Sequence, residues 1–345
     1  MTISDTTKHS RRAFLGAAAA SLTLAACTRN DEEHFSEAQR SRRRQGESTV
    51  AVVRCQSYDR DIWSLIKPHV LELGLPDLTG KHVVLKPNMV EYRKDKPVHT
   101  NPAMIEAAAQ LVDHLGAGQI TVAEGPGHFR DTEFLLSATG IGKICSQLGL
   151  PFVDLNLDEV DLLPNPAGLT ELKHFVLPKT ILTADAVVSL PKMKTHHWVG
   201  VTASMKNLFG TVPGRKYGWP KNLLHFQGIE RSIIDLVHLV SPVFALVDGI
   251  VAMEGDGPIN GVAKESGIVV LGNDLAAVDA TCARAMGLDP KNLTYMRMAG
   301  ELVGNIDSQK IKVIGTPLDE VRQSFVMPVT FSDPKLAGSP GQQGS

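Results

Sequence analysis

The chain has 345 residues, 43% of them hydrophobic and 21% charged, enough to bury one large core or two modest ones. Charge nearly cancels, with 35 Lys and Arg against 37 Asp and Glu, which argues against broad electrostatic binding of nucleic acid. The four cysteines, Cys27, Cys55, Cys145 and Cys282, include no C-x-x-C pair. This chain alone is therefore not expected to build a ferredoxin-type iron–sulfur cluster or a zinc ribbon.

Residues 1–27 read as an address. Ser10-Arg11-Arg12-Ala13-Phe14-Leu15 matches the twin-arginine export pattern, and Ala13 to Ala26 carries no charge. That stretch is short for a membrane span and suits a signal h-region. Leu24-Ala25-Ala26-Cys27 resembles a lipobox, which makes Cys27 the expected lipidation site and mature N-terminus. Ordinary cleavage next to a chance cysteine is the alternative. Residues 28–48 are rich in charge, with Phe35 the only large apolar side chain, so a flexible tether is expected there.

From residue 49 to 331 strands and helices alternate. Val50–Cys55, Lys81–Leu85, Gln119–Ala123, Phe152–Leu155, Ala186–Leu190, Val243–Val247, Ile268–Leu271 and Ile311–Ile314 are short apolar runs with strand character. Pro102–Gly116 has helical spacing at Met104, Ile105, Ala108, Leu111, Val112 and Leu115, with Asn101 or Thr100 as cap. Thr132–Leu148 and Asp274–Met286 also read as helices. The tail, 332–345, is rich in Pro, Gly and Ser and is expected to fray. The pattern predicts an α/β fold: a mostly parallel sheet flanked by helices, in a compact two-lobed domain.

Ligands in such sheets sit beyond the carboxyl ends of strands. Unusual polar groups follow four of the runs: Lys86-Pro87-Asn88, Glu124-Gly125-Pro126-Gly127, Pro191 to His197, and Asp248-Gly249. That agreement points to one shared site. In an extended segment Lys192, Lys194 and His196 could share a face and form a positive pocket for a carboxylate or phosphate. A metal held by His196 or His197 is a second reading, and a solvated basic loop a third. Lys206-Asn207 sits in an apolar, glycine-punctuated stretch, so the Lys206 amine could be desolvated and act as base or nucleophile; the bland reading is a snorkelling lysine. Glu254 and Asp256, between glycines, could hold a hard cation or simply form an acidic turn. His225 and His128 stand alone and read first as structural. No Walker, Rossmann, zinc-protease or nucleophile-elbow motif occurs.

The order of these motifs resembles the domain of unknown function 362 (DUF362) family across roughly residues 50–315. The carriers include Lys86-Pro87-Asn88, Glu124-Gly125, Leu190 to His196, Met205 to Gly210, Asp248-Gly249 and Glu254 to Pro258. Some relatives carry an added iron–sulfur module whose cysteines this chain lacks. A separate iron–sulfur redox partner is therefore one implied role. A second, local resemblance covers Thr195 to Gly214, which is similar to the His…Gly…Lys…Pro-Gly segment of nickel-pincer-nucleotide lactate racemases. It implies that His196 lies at a cofactor and that Lys206 carries it, with His225 a further nickel-side candidate.

The expectation is an exported, lipid-anchored envelope or periplasmic protein that acts as an enzyme with a metal-containing or anionic cofactor or substrate, by redox or racemase-like chemistry. His196 and Lys206 would be catalytic. Lys86, Asn88, Glu124, Lys192, Lys194 and Asn207 would bind a cofactor or anion, and His196, His225, Asp248, Glu254 and Asp256 would supply metal ligands. The rival readings are a non-catalytic lipoprotein that captures an anion or metal ion, and an accessory subunit of an iron–sulfur partner.

Overall fold

The strands form because β-branched and aliphatic residues run in short stretches, and the central ones are buried on both faces. This computed structural model describes residues 35–331. The signal segment, Cys27, the tether up to residue 34 and the tail from 332 lie outside the described residues. In chain order the strands are β1 (Ser48–Arg54), β2 (His82–Pro87), β3 (Gln119–Glu124), β4 (Phe152–Asp154), β5 (Val160–Pro164), β6 (His174–Pro178), β7 (Ala186–Leu190), β8 (Lys192–His196), β9 (Gly200–Thr202), β10 (Phe244–Glu254), β11 (Val262–Gly272) and β12 (Ile311–Gly315).

The main sheet runs β12-β1-β11-β10-β7-β2-β3-β4, with β8 beside the far end of β10 and β9 beside β8. Pairing is parallel across β10-β7-β2-β3-β4, at β1-β12 and at β8-β10, and antiparallel where β11 joins β1 and β10 and where β9 joins β8. The fold is thus α/β with a large, mostly parallel sheet flanked by helices, as the alternation predicted. The described residues from Ser36 to Phe331 cluster as one compact unit, so the expected two lobes are not seen.

The sheet core includes Val83, Leu85, Val122, Val188, Leu246, Val269 and Leu271, all fully buried. Each such side chain contributes about 1.5–3 kcal/mol relative to exposure. The helix Pro102–His114 covers one face with Met104, Ile105, Ala108, Leu111 and Val112, the stripe that the spacing predicted. Asn101 caps it by accepting from the Ala103 amide at 2.9 Å, which stabilises such a helix by about 1 kcal/mol.

Three differences from the sequence reading have physical causes. The expected helix over 132–148 is two helices, Thr132–Thr139 and Ile141–Leu148, because Gly140 turns left-handed (φ 77°) between them. The hairpin β5-β6 and the helices Ile229–Val240 and Thr294–Leu302 were not foreseen. Within the expected tether, residues 36–47 are docked on the body. Arg43 donates to Gly300 O (2.7 Å) and Asn305 Oδ1 (2.6 Å), and Arg40 pairs with Glu301 at 2.7 Å. Charge content signalled solvation, but these guanidinium groups have fixed carbonyl and carboxylate partners.

Candidate functional site

Parallel pairing sets the carboxyl ends of β2, β3 and β7 side by side. Lys86 lies opposite Ser189, and Leu85 opposite Val122. The loops leaving these strands, with β8 and the segment 202–225, enclose a cavity of about 160 Å³. Its wall includes Asn88, Glu124, Lys194, His196, Lys206, Asn207 and His225. Seven of the candidate residues therefore meet at one place, at the strand ends where an open parallel sheet binds ligands.

Lys86 and Glu124 form an ion pair, with the amine fully buried and the carboxylate 2% exposed. The same amine donates to Pro87 O at 2.7 Å and Asn207 Oδ1 at 3.1 Å. Burial drives Lys86 below and Glu124 above their ordinary values, while their mutual attraction opposes both shifts. Gly210 is required here: a Cβ at that position would run into the Glu124 carboxylate and the Lys86 amine. Asn207 closes the unit by donating from Nδ2 to Lys86 O (3.0 Å) and Ser189 Oγ (3.1 Å).

Lys194 has no carboxylate partner among the described residues. It donates to Asn88 Oδ1 at 2.6 Å and Val98 O at 2.8 Å, and burial followed by the Lys192 charge holds it well below the usual lysine range. Lys221 donates to Asn156 Oδ1 (2.7 Å) and Val212 O (2.6 Å); burial lowers it to about 7. Lys206 is only partly covered, yet its amine lies 3.5 Å from the centre of the Phe209 ring. Burial and then the Lys86 charge bring it to about 7. Among the described residues Glu124 is the only acid in the wall, and Lys86 already pairs with it. The cavity is an electropositive hollow in apolar surroundings, including Val90, Trp198, Phe209, Pro220 and Ile259.

The histidines differ in what they offer. The Trp198 amide donates to His196 Nδ1 at 3.1 Å, and burial keeps that ring well below its ordinary value. A neutral ring with Nδ1 accepting carries its proton on Nε2. His225 donates from Nδ1 to Lys221 O at 3.0 Å, and His197 from Nδ1 to Gly257 O at 2.9 Å. The neutral His225 ring therefore has its lone pair on Nε2. Burial, reinforced by Lys206, lowers His225 to about 4. Two wall atoms, His128 Nδ1 and Thr202 Oγ1, are buried with no hydrogen-bond partner.

Lys192, Asp248, Glu254 and Asp256 do not reach the cavity. Lys192 pairs with Asp248 at 2.5 Å, its direct partner across the β8-β10 pairing. Its amine is thereby held at Asp248 instead of reaching the cavity. Asp248 also accepts from Tyr58 Oη (2.7 Å) and the Asn101 amide (2.9 Å). Glu254 accepts from the Val326 amide at 2.9 Å, and Asp256 is exposed. The five expected metal ligands are thus dispersed. Among the described residues no three His, Cys, Asp or Glu side chains gather as a ligand set, and His196 presents N–H where a ligand needs a lone pair. The residues present do not fit a metal ion held by side chains alone. Lys221 and Asn156 were not anticipated. No sequence motif marks Lys221, which adopts φ 70° after a cis Trp219-Pro220 bond.

A family model described as a domain of unknown function (DUF362) matches residues 83–284. The chain belongs to the DUF362 family. This DUF362 chain is 27% identical over 312 residues to a thylakoid-associated protein of Synechocystis sp., covering 84% of this chain and 92% of that protein. Among solved structures, the lactate racemase apoprotein of Thermoanaerobacterium thermosaccharolyticum overlaps with a TM-score of 0.39 and 15% identity over 63% of this chain. A Thermotoga maritima protein overlaps with a TM-score of 0.32 and 11% identity over 60%. The DUF362 chain spans only about half of either solved chain, 54% and 53%.

Proposed function

We propose that this protein is an enzyme that binds a small organic anion in the β2-β3-β7 cavity and performs acid–base chemistry on it. The observation that carries this reading is the meeting of Lys194, Lys206 and Lys221 in one apolar-walled cavity without a carboxylate of their own. Structural lysines in such surroundings are ordinarily paired, because an unpaired buried charge is costly. As ammonium groups, the form that a bound anion favours, Lys194 and Lys221 each use two of three N–H donors, leaving one apiece for a ligand. The His196 N–H and the His225 lone pair supply a proton donor and an acceptor beside it.

Calorimetric titration with pyruvate and with inorganic phosphate tests the site. Lys194→Met and Lys221→Met are each expected to weaken anion binding at least about tenfold, the effect of losing roughly 1.4 kcal/mol. Equal affinity in wild type and both variants would refute an anion site here.

The envelope address belongs to the same proposal: export by the twin-arginine route and a lipid on Cys27. Its support is the residue 10–27 pattern and a relative named as thylakoid-associated. No helix among the described residues is long and apolar enough to cross a membrane, so membrane attachment of the body would rest on the anchor. Cys27→Ala should move the protein from the membrane to the soluble fraction. Retention in the membrane fraction would show that the lipid is not what holds it.

A further inference from the structure

We propose that Lys206 forms a Schiff base with the carbonyl carbon of a small keto acid whose carboxylate is held by the free N–H groups of Lys194 and Lys221. This inference rests on the anion-site reading and names its substrate class. It begins with the uneven use of the cavity's amines. Lys86 has a carboxylate, and Lys194 and Lys221 are each fixed by two carbonyl-type acceptors. Lys206 makes no hydrogen bond or ion pair among the described residues; its amine faces the Phe209 ring at 3.5 Å.

The backbone that carries Lys206 is nevertheless held firmly. Asp279 accepts from the Ser204 amide (2.7 Å), the Ser204 hydroxyl and the Met205 amide (3.3 Å), and Tyr295 donates to the same carboxylate at 3.3 Å. A fixed backbone with a free amine is an arrangement for a nucleophile more than for a structural cation. Burial and the Lys86 charge lower the amine to about 7, so near neutrality much of it carries a lone pair. Desolvation and a neighbouring cation are two established ways to activate a lysine toward carbonyl carbon.

The surrounding groups relay the protons that the step requires. The Lys206 lone pair attacks the carbonyl carbon; a C–N bond forms as the C=O π bond opens. The nitrogen gives a proton to the His225 Nε2 lone pair, which passes it to the oxygen, and the His196 Nε2–H holds that oxygen by a hydrogen bond. The C–O bond then breaks, and oxygen leaves as water with a second proton taken from solvent. The products are a protonated imine and one water, and no oxidant or reductant takes part. Trp198, Pro220, Pro258 and Ile259 wall the same space and would limit hydrolysis of the imine.

The test uses the purified full chain at pH 7 with pyruvate, 2-oxoglutarate or phenylpyruvate, each with cyanoborohydride to reduce any imine. Intact mass and peptide mapping report the site. Expected is one adduct per chain with at least one keto acid, at Lys206, in excess of exposed Lys216 by about tenfold or more, since an ordinary lysine is almost wholly protonated at pH 7. Lys206→Arg should lose that adduct while still binding the keto acid by calorimetry, which shows that the variant is folded. Keto acid binding without a Lys206 adduct would overturn the Schiff base and leave the anion site standing. Neither binding nor adduct with all three acids would overturn both. Labelling spread evenly over exposed lysines would also reject the inference.

Discussion

Replacing Lys86 with methionine is expected to destabilise the protein by about 3–5 kcal/mol, the usual cost of stranding one member of a buried ion pair. Glu124 is 2% exposed, and Lys86 is its only ion-pair partner among the described residues. Methionine keeps the aliphatic bulk but leaves the carboxylate to take up a proton or lose its place. Asn207 would lose a donor to Oδ1 at the same time. Thermal unfolding should fall by on the order of 10 °C for a chain of this size. The double variant Lys86→Met/Glu124→Gln removes both charges and should recover much of the loss, because an uncharged pair has little to desolvate. If single and double variants unfold together, stability does not depend on neutralising Glu124 at this site. The pair also matters for the cavity. With Glu124 neutralised by Lys86, the remaining lysines confront a ligand uncompensated.

How far the site could be read from the sequence depended on the kind of signal. Strand cores were legible because Val, Ile and Leu runs such as Ala186–Leu190 carry their own propensity. Polar residues immediately after those runs gave the site, since parallel strands end on one edge: Lys86, Asn88, Glu124 and Lys194 follow from that rule. The rule overreached at Lys192, because alternation cannot foresee that β10 sets Asp248 directly opposite it. It missed Lys221, whose place is set by a left-handed backbone and by Asn156 from a distant loop. The helix Ile229–Val240 carries a readable helical signal in Ile229, Ile233, Leu236, Val237 and Val240. In contrast, the docking of Arg43 depends on Gly300 O and Asn305, 257 and 262 residues away, and no local pattern contains it. The tautomers of His196 and His225 lay equally beyond sequence, because each follows from one backbone N–H or carbonyl facing one ring nitrogen.

The lysine cluster also predicts an unusual response of stability to pH. Lys206 and Lys221 each sit near 7 in the folded protein, chiefly through burial, and near 10.4 when unfolded. Between those values the unfolded chain binds more protons than the native one, so stability rises with pH. Lys194, also held well below its usual range, acts in the same direction. Groups with the opposite effect begin higher: the buried thiols of Cys145 and Cys282 and the phenols of Tyr217 and Tyr295 have raised values, and they oppose folding only once their unfolded counterparts ionise, near pH 9 and above. Asp279, raised by burial to about 7, gives a falling contribution from about pH 4 that is complete near 7. The window from pH 7 to the onset of thiol ionisation is therefore the one in which the amines set the direction of the slope. Denaturant unfolding across it should show stability increasing with pH, by roughly 1 kcal/mol per pH unit for each lysine. Lys206→Met and Lys221→Met should each flatten that slope by about the same amount, and either should raise stability at pH 7, where the native lysine is held partly deprotonated at a cost. A flat profile in wild type would mean that the amines remain ordinary ammonium groups. The same profile bears on chemistry. A lysine that folding holds near its neutral form is costly to the fold, and the free amine of Lys206 is where that cost has a use.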